Sequence, residues 1–301
     1  MPRVPTLSVL AVLALFATTA AAQPAPPPMV EQIRGLRLDS LAGPLPVHYS
    51  AGFRDHAAEV QAILREGAAF FADSLGLPTT VRVALLAAPE WQRVTQVPYG
   101  VPFVQGGVVL IPATGDGVIA ADFLALEAGA SAAARSKVAE SGASFAENAR
   151  RMTDLIGCHE LGHGYTGAYG IRPHTRWFSE LLATYMAYAF LYRMRPPLAR
   201  GWEAMLQARL EGPAPAHTSL ADFDRLYIRV GPQNYNWYQS AFAMQAAEVF
   251  QAQGLGFLAR VREAFPVGGQ PMESDAVLER LEAIHPGFRA WADRLGAPRT
   301  P

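Results

Sequence analysis

A run of twenty residues, 175–194, constrains the fold of this chain more than any other segment. Its letters, TRWFSELLATYMAYAFLYRM, are apolar on nearly every face of a helix, and a helix of that kind is buried. Glu180 lies inside the run, and an ionised carboxylate is costly to bury without a partner. The sequence therefore predicts a helical core that holds a paired or metal-bound carboxylate.

A second helix, predicted over residues 145–168, contains the string CHELGHGYTG at 158–167. His159 and His163 are one helical turn apart, so both imidazoles project from one face with Cβ atoms about 5–6 Å apart. This spacing suits two ligands of a tetrahedral zinc ion. Glu160 lies beside them, where it can act as general base on a zinc-activated water without being a ligand.

A catalytic zinc ion needs a third protein ligand and an open position for water. His174, in the predicted connecting loop, and Glu180 are the two candidates. Glu180 is favoured because its neighbours are apolar and its charge needs a partner. The alternative for Glu180, which needs no metal, is a salt bridge to Arg172 or Arg176.

The string HELGHGYTGAYGIRPHTRWFSELLATYMAY resembles the active-site helix pair of gluzincin zinc metallopeptidases, the group of thermolysin-like peptidases and M1 aminopeptidases. The resemblance covers residues 152–192 and extends loosely to 254. It implies a zincin-like fold, with the active-site helix between a sheet lobe and a helical lobe, and Glu160 as base and proton shuttle. It also implies one Zn²⁺ per chain with three protein ligands: His159, His163 and Glu180.

The same resemblance implies a hydrogen-bond donor for the oxyanion that develops during peptide hydrolysis. Tyr238, expected to begin an apolar-striped helix that ends at Gly254, is the predicted donor. Tyr235 and His217 are the alternatives, and Tyr238 could also be a packing residue with its hydroxyl in water.

Two departures from the group concern substrate binding and ligand orientation. The group binds substrate along an edge strand, and that strand is expected here at 104–113. In aminopeptidases of the group, a glutamate on this segment binds the free amine of the substrate. The segment has no glutamate here, which favours an endopeptidase over an aminopeptidase. In thermolysin-like enzymes an aspartate four residues after the third ligand orients the first histidine. Thr184 stands at that position, which leaves Asp154 and Glu248 as candidates for the role.

The rest of the chain is predicted to be α+β, with a small mixed sheet lobe at about 45–117 and a mostly helical lobe at about 118–301. Three strands and one helix are expected in the first lobe: 45–51, 80–88, 106–113 and 55–75. The Ala/Ser-rich stretch 120–145 is expected to be a weakly amphipathic helical segment that could cover the cleft. Further helices are expected in the second lobe: 198–211, 236–253, 255–265 and 273–284.

The first 22 residues are predicted to be a signal peptide, because Arg3 precedes a short apolar run and small residues end the segment. An uncleaved anchor is the alternative. Residues 23–44 are expected to be a linker and N-terminal extension before a single domain at 45–301. The mature chain is therefore expected to be exported, periplasmic or secreted, with no stable membrane insertion.

Composition excludes some partners and leaves others open. The chain has 25 basic and 26 acidic residues, a net charge of −1, which argues against nucleic acid as a partner. Cys158 is the only cysteine, so no intrachain disulfide can form. It directly precedes His159, whereas ligand pairs on a helix are three or four positions apart. Cys158 is therefore interpreted as a small buried residue. Oligomeric state is not indicated by the sequence.

Two functions fit these patterns. The first is an exported zinc metallopeptidase that acts on peptide or protein substrates. The alternative is a non-catalytic exported zincin-fold domain that binds a peptide or a cell-envelope partner. Glu160 favours the first, because a binding domain has no use for a general base.

Overall fold

The computed structural model describes residues 27–77 and 81–297. The predicted signal peptide lies outside these residues. Within them, every helix is too short or too polar to cross a membrane. The described chain is mixed α+β, with a small five-stranded sheet followed by a mostly helical region, as predicted.

The sheet contains five short strands: β1 (Asp39–Leu41), β2 (Val47–Tyr49), β3 (Arg82–Leu86), β4 (Phe103–Gln105) and β5 (Val108–Pro112). Their order in the sheet is β1-β2-β3-β5-β4. The three central strands are parallel, with Val83 paired to both Val47 and Val109. The two edge strands, β1 and β4, run antiparallel to their neighbours. Strands β3 and β5 are buried on both faces, as is usual for parallel strands covered by helices.

The segment expected to be one edge strand at 104–113 is a hairpin. Gly106 and Gly107 have φ angles of 57° and 74°, and a two-residue turn of this kind requires positive φ at both positions, which glycine adopts at little cost. The chain therefore reverses here, so that β5 lies between β3 and β4. The edge strand is β4, and the prediction that 104–113 forms one continuous edge strand was wrong.

Three helices accompany the sheet: α1 (Met29–Gly35), α2 (Arg54–Leu75) and α3 (Ala88–Val94). Helix α2 agrees with its predicted range and ends at Gly76 in the left-handed conformation. Helix α1 and strand β1 lie in the segment expected to be a linker and extension. Met29 and Ile33 of α1 are buried in a small apolar cluster with residues of β3, α3 and β5. Part of the expected linker and extension therefore packs against the sheet.

Ten helices of the described residues form the second region: α4 (Val118–Leu124), α5 (Ala132–Glu140), α6 (Phe145–Ala168), α7 (Arg176–Met194), α8 (Pro196–Glu211), α9 (Leu220–Leu226), α10 (Pro232–Gln253), α11 (Gly256–Ala264), α12 (Ser274–Ile284) and α13 (Phe288–Gly296). From Trp177 to Leu191 every residue of α7 except Ser179 is buried. Helices α2, α6, α8 and α10 surround α7. The buried central helix predicted from the sequence is therefore confirmed.

The Ala/Ser-rich stretch forms α4, a 3₁₀ turn and α5 rather than one helix. Helix α4 packs on α6, and α5 packs on α8. The carboxylate of Asp122 accepts hydrogen bonds from Arg209 and from Asn236, which ties α4 to α8 and α10. These contacts integrate the segment into the helical region.

Helix α6 links the two regions of the protein. A capping box between Ser144 and Glu147 begins it. It contacts β4 and β5 as well as α7. The Cβ that a side chain would add at Gly157 would lie 2.8 Å from the Ile111 side chain, so this glycine lets α6 approach the sheet closely.

Candidate metal centre

Close packing of α6 on α7 brings the predicted ligands together. A Cβ at Gly162 would lie 2.8 Å from Cα of Ala183, and closer still to its carbonyl oxygen. Real Cβ atoms essentially never approach so closely, so only glycine permits this contact. Because Gly162 lies between His159 and His163 in the sequence, the contact places both histidines against the helix that carries Glu180.

Three predicted ligand atoms face one another. Oε2 of Glu180 lies 3.1 Å from Nε2 of His159 and 3.6 Å from Nε2 of His163. The two imidazole rings are perpendicular, with centroids 4.7 Å apart. Two ligand atoms of a tetrahedral zinc ion, each at about 2.0–2.1 Å from it, are about 3.3 Å apart. The two separations between Glu180 and the histidines fall on either side of that value, so they are compatible with ligation of one zinc ion.

The alternative partners of Glu180 are occupied elsewhere. Arg172 donates to the carbonyl oxygen of Gly269 at 2.6 Å. The guanidinium of Arg176 lies over the ring of Tyr227, 4.9 Å from its centroid. The salt bridge considered for Glu180 therefore does not form in the described residues, and histidines surround this carboxylate instead.

Glu180 is the more acidic of the two carboxylates at the centre. Its burial opposes ionisation, but hydrogen bonds from His159 and His163 and their charge outweigh burial and hold the pKa of Glu180 well below its usual value. Burial also works against protonation of His163, yet the hydrogen bond to Glu180 raises the pKa of this histidine. The two pKa values are thus displaced in the directions that favour charge on both groups.

Glu160 is the second buried carboxylate, and one of its oxygens is bonded to the sheet. Its Oε2 accepts a hydrogen bond from the backbone N–H of Val104 on β4, at 2.9 Å. Burial raises the pKa of Glu160, against the opposing charge of the two histidines. The two glutamates thus have pKa values displaced in opposite directions, as is common for a ligand and a proton acceptor in one site.

Both glutamates come within reach of a metal, because ligand atoms of His159, Glu160 and His163 also lie within 4.8 Å of one another. Two observations favour Glu180 as the ligand. Its Oε2 contacts both Nε2 atoms, whereas Glu160 is engaged by Val104. If a metal binds here, this division would leave Glu160 beside it, and its predicted role as general base stays a prediction.

Thr184 takes the orienting role for which Asp154 and Glu248 were considered. Its Oγ1 lies 2.9 Å from Nδ1 of His159, and a metal-ligating histidine usually gives its other ring N–H to such an oxygen. Asp154 instead pairs with His56 at 3.0 Å, and Glu248 is exposed. A threonine therefore contacts the ring nitrogen of His159 that faces away from Glu180.

Tyr238 does not meet the cluster, and its assignment as oxyanion donor is corrected. Its hydroxyl donates to the carbonyl oxygen of Ser219 at 2.7 Å. The physical reason is that α10 begins at Pro232, earlier than expected, so Tyr238 lies in its second turn and faces α9. His217, the other alternative, lies 3.7 Å from the Asp222 carboxylate.

Two tyrosines approach the centre in place of Tyr238. The hydroxyl of Tyr227 donates to Oε1 of Glu180 at 2.8 Å. Tyr235 is partly buried, and its ring meets the Tyr227 ring edge-on, with centroids 5.8 Å apart. Gln239, one turn after Tyr235, donates to Oε2 of Glu180 at 2.8 Å. Tyr227 and Gln239 were missed from the sequence, whereas Tyr235 was the alternative to Tyr238.

Two other candidate ligands lie apart from these contacts. The ring of His174 packs on Phe265, with centroids 6.0 Å apart. Cys158 is buried, and burial raises the pKa of its thiol to about 12. The interpretation of Cys158 as a small buried residue is therefore confirmed.

Comparison with protein-family models, with curated proteins and with solved structures gives no match for this chain. The geometry and chemistry of the centre are therefore the grounds on which a function can be proposed.

Proposed function

We propose that this chain is a zinc-dependent metallopeptidase of zincin-like fold, and that Glu160 is its general base. One observation carries the proposal: Oε2 of Glu180 lies 3.1 Å from Nε2 of His159 and 3.6 Å from Nε2 of His163, separations that suit ligands of one zinc ion. A zinc ion bound there supplies a Lewis acid that activates water and polarises a carbonyl group.

The number of ligands supports a catalytic rather than a structural role. Structural zinc sites have four protein ligands, whereas catalytic sites have three and an open position. Two histidines and one glutamate supply three. Glu160 is a fourth potential ligand, but the N–H of Val104 holds its carboxylate at the edge of the sheet. From that position Glu160 can accept a proton from the attacking water and pass it to the leaving amine.

Strand β4 supports a peptide as the substrate. Gln105 and Val108 flank the turn, and Val104 pairs with Val109 one residue further along. In an antiparallel pair, hydrogen-bonded and non-hydrogen-bonded positions alternate. The backbone N–H and C=O of Val104 therefore point away from β5. The outward N–H of Val104 already donates to Glu160, so an extended peptide that pairs with the other outward backbone groups of β4 would lie beside Glu160. The turn residues Gly106 and Gly107 offer no acid to bind a free amine, which favours an endopeptidase.

We place this activity outside the cytoplasm because the first 22 residues have the pattern of a signal peptide. The substrate would then be a peptide or protein of the periplasm or the extracellular medium. The mature chain would keep no membrane anchor after cleavage.

Zinc content and hydrolysis together test the proposal. We expect one zinc ion per wild-type chain by elemental analysis, and hydrolysis of casein that a chelator abolishes and added zinc restores. Glu180→Ala should lose both. Glu248→Ala, which removes an exposed glutamate of α10, should keep both. A wild-type chain that is folded but binds no zinc would contradict the proposal.

A further inference from the structure

Tyr227 has an unusual backbone conformation beside the metal centre. Its φ and ψ angles are 50° and −125°, a region that residues with a side chain rarely adopt. Arg37 is the only other non-glycine residue of the described chain with positive φ. Strain of this kind persists only where surrounding contacts impose it, and it is concentrated at functional sites.

Several contacts fix the segment that carries Tyr227. Asp224, one turn earlier, accepts hydrogen bonds from the backbone N–H groups of Arg176 and Trp177 at the start of α7. The ring of Phe223 meets the ring of Tyr227 edge-on, with centroids 5.6 Å apart. These contacts attach α9 to the helix that carries Glu180, and they direct the Tyr227 ring towards it.

The Tyr227 hydroxyl is bonded to one oxygen of Glu180. It donates its proton to Oε1 of Glu180, at 2.8 Å. The side chain of Tyr235 lies beside it, and its interaction with the Tyr227 hydroxyl opposes the rise that burial causes in the pKa of Tyr227. The rings of the two tyrosines meet edge-on at 5.8 Å, so neither can turn away freely.

The two oxygens of Glu180 are thereby distinguished. Oε1 is held by Tyr227. Oε2 faces Nε2 of both His159 and His163 and also accepts the Gln239 amide. A carboxylate fixed in this way presents one oxygen to an ion between the histidines, and its other oxygen is already engaged.

We propose that Tyr227, supported by Tyr235, is a positioning residue that makes Glu180 a one-oxygen ligand of the metal. This inference rests on the zinc site proposed above. One-oxygen ligation keeps the coordination number low, which suits zinc. A glutamate free to use both oxygens raises the coordination number and favours larger, oxygen-preferring cations.

The test compares three tyrosine-to-phenylalanine variants of the full-length chain: Tyr227→Phe, Tyr235→Phe and Tyr238→Phe. Tyr238 is the matched control, because it is a buried tyrosine of α10 whose hydroxyl bonds to Ser219. Each variant retains its ring, and thermal unfolding verifies that it is folded. Zinc Kd is measured by competition with a chelator, and coordination is measured from the visible spectrum of the cobalt(II)-loaded protein.

We expect Tyr227→Phe to weaken zinc binding about 10- to 100-fold, the usual effect of losing a partner of a ligand. Its cobalt bands should weaken and shift as the coordination number rises. Tyr235→Phe should weaken zinc binding and shift the cobalt bands in the same direction as Tyr227→Phe, but by less. It provides the test if Tyr227→Phe does not fold. Tyr238→Phe should match the wild type.

Equal Kd values and identical cobalt spectra for Tyr227→Phe and Tyr238→Phe would overturn the positioning role while leaving the zinc site intact. A wild-type chain that binds neither zinc nor cobalt would instead overturn the proposed function, and the positioning role with it. The two failures are therefore distinguished by the wild-type measurement.

Discussion

The hydroxyl of Thr184 lies 2.9 Å from Nδ1 of His159, the ring nitrogen that faces away from Glu180. With Nδ1–H given to Thr184, the lone pair of Nε2 is free to bind a metal. Thr184 lies one turn after Glu180 on α7, so one helix supplies both a ligand and the residue that orients another ligand.

Thr184→Val should therefore weaken zinc binding about 10- to 100-fold, because it removes the oxygen and keeps the shape of the side chain. Thr153→Val is the control. Thr153 is buried on α6, and its hydroxyl has no partner among the described residues. Zinc titration against a chelator measures both variants. Equal loss of affinity in the two would show that Thr184 has no specific role.

Gly162→Ala should separate α6 from α7 and disable the centre. The added methyl group would overlap the backbone of Ala183, and overpacking of this kind costs about 1–3 kcal/mol. Gly167→Ala provides the comparison, because this glycine is exposed on the same helix and has open space around its Cα. We expect Gly167→Ala to stabilise the protein by about 0.5–1 kcal/mol.

Urea unfolding gives both free energies, and zinc content reports on the centre. If Gly162→Ala kept full stability and one zinc ion per chain, the close approach of the two helices would not be what assembles the site.

The sequence predicted the two central helices and the meeting of His159, His163 and Glu180 because the signals are local. Apolar residues on all faces of α7 predict burial, and an acid in such a helix demands a partner. The spacing of His159 and His163 defines a common face without any knowledge of the tertiary fold.

Other parts of the site depend on tertiary contacts and could not be predicted. Tyr227 is 47 residues from Glu180 in the sequence. Its positive φ could not be predicted either, because glycine is the residue that usually indicates this conformation. The segment 104–113 was predicted to be one strand because it is largely apolar, and this pattern does not indicate that the chain reverses at Gly106 and Gly107. The choice between Tyr235 and Tyr238 depends on the rotation of α10, which its neighbours set.

Glu160→Gln separates binding from catalysis. The glutamine side chain has nearly the same shape, and its carbonyl oxygen can still accept the hydrogen bond from Val104. We expect normal zinc content with peptide hydrolysis lower by about 10²–10⁴-fold, because the proton acceptor is lost. Hydrolysis of casein at wild-type rate by a zinc-loaded Glu160→Gln protein would exclude Glu160 as the base.

His56 should make stability fall with increasing pH above neutrality. The hydrogen bond to Asp154 raises the pKa of His56 to about 9, against burial, with the carbonyl oxygen of Ala113 also contributing. A histidine whose folded pKa is raised stabilises the protein fully below the unfolded pKa, about 6.5. That contribution is lost as pH rises through about 9.

Because His56 is only partly buried, its contribution is on the order of 2 kcal/mol after allowance for solvent screening. The free energy of unfolding, measured from pH 6 to pH 10, should decline in the wild type and change less in His56→Gln. His48→Gln should retain the wild-type decline, since burial and Arg82 lower the pKa of His48. Parallel curves for wild type and His56→Gln would contradict the ion pair.

The most direct measurement is anomalous X-ray diffraction at the zinc edge from crystals of the zinc-loaded protein. We expect one peak per chain, about 2.0–2.2 Å from Nε2 of His159, Nε2 of His163 and one oxygen of Glu180. Glu160 should lie beside the ion without binding it. A peak located elsewhere, or none at a centre with these three side chains ordered, would contradict the zinc site.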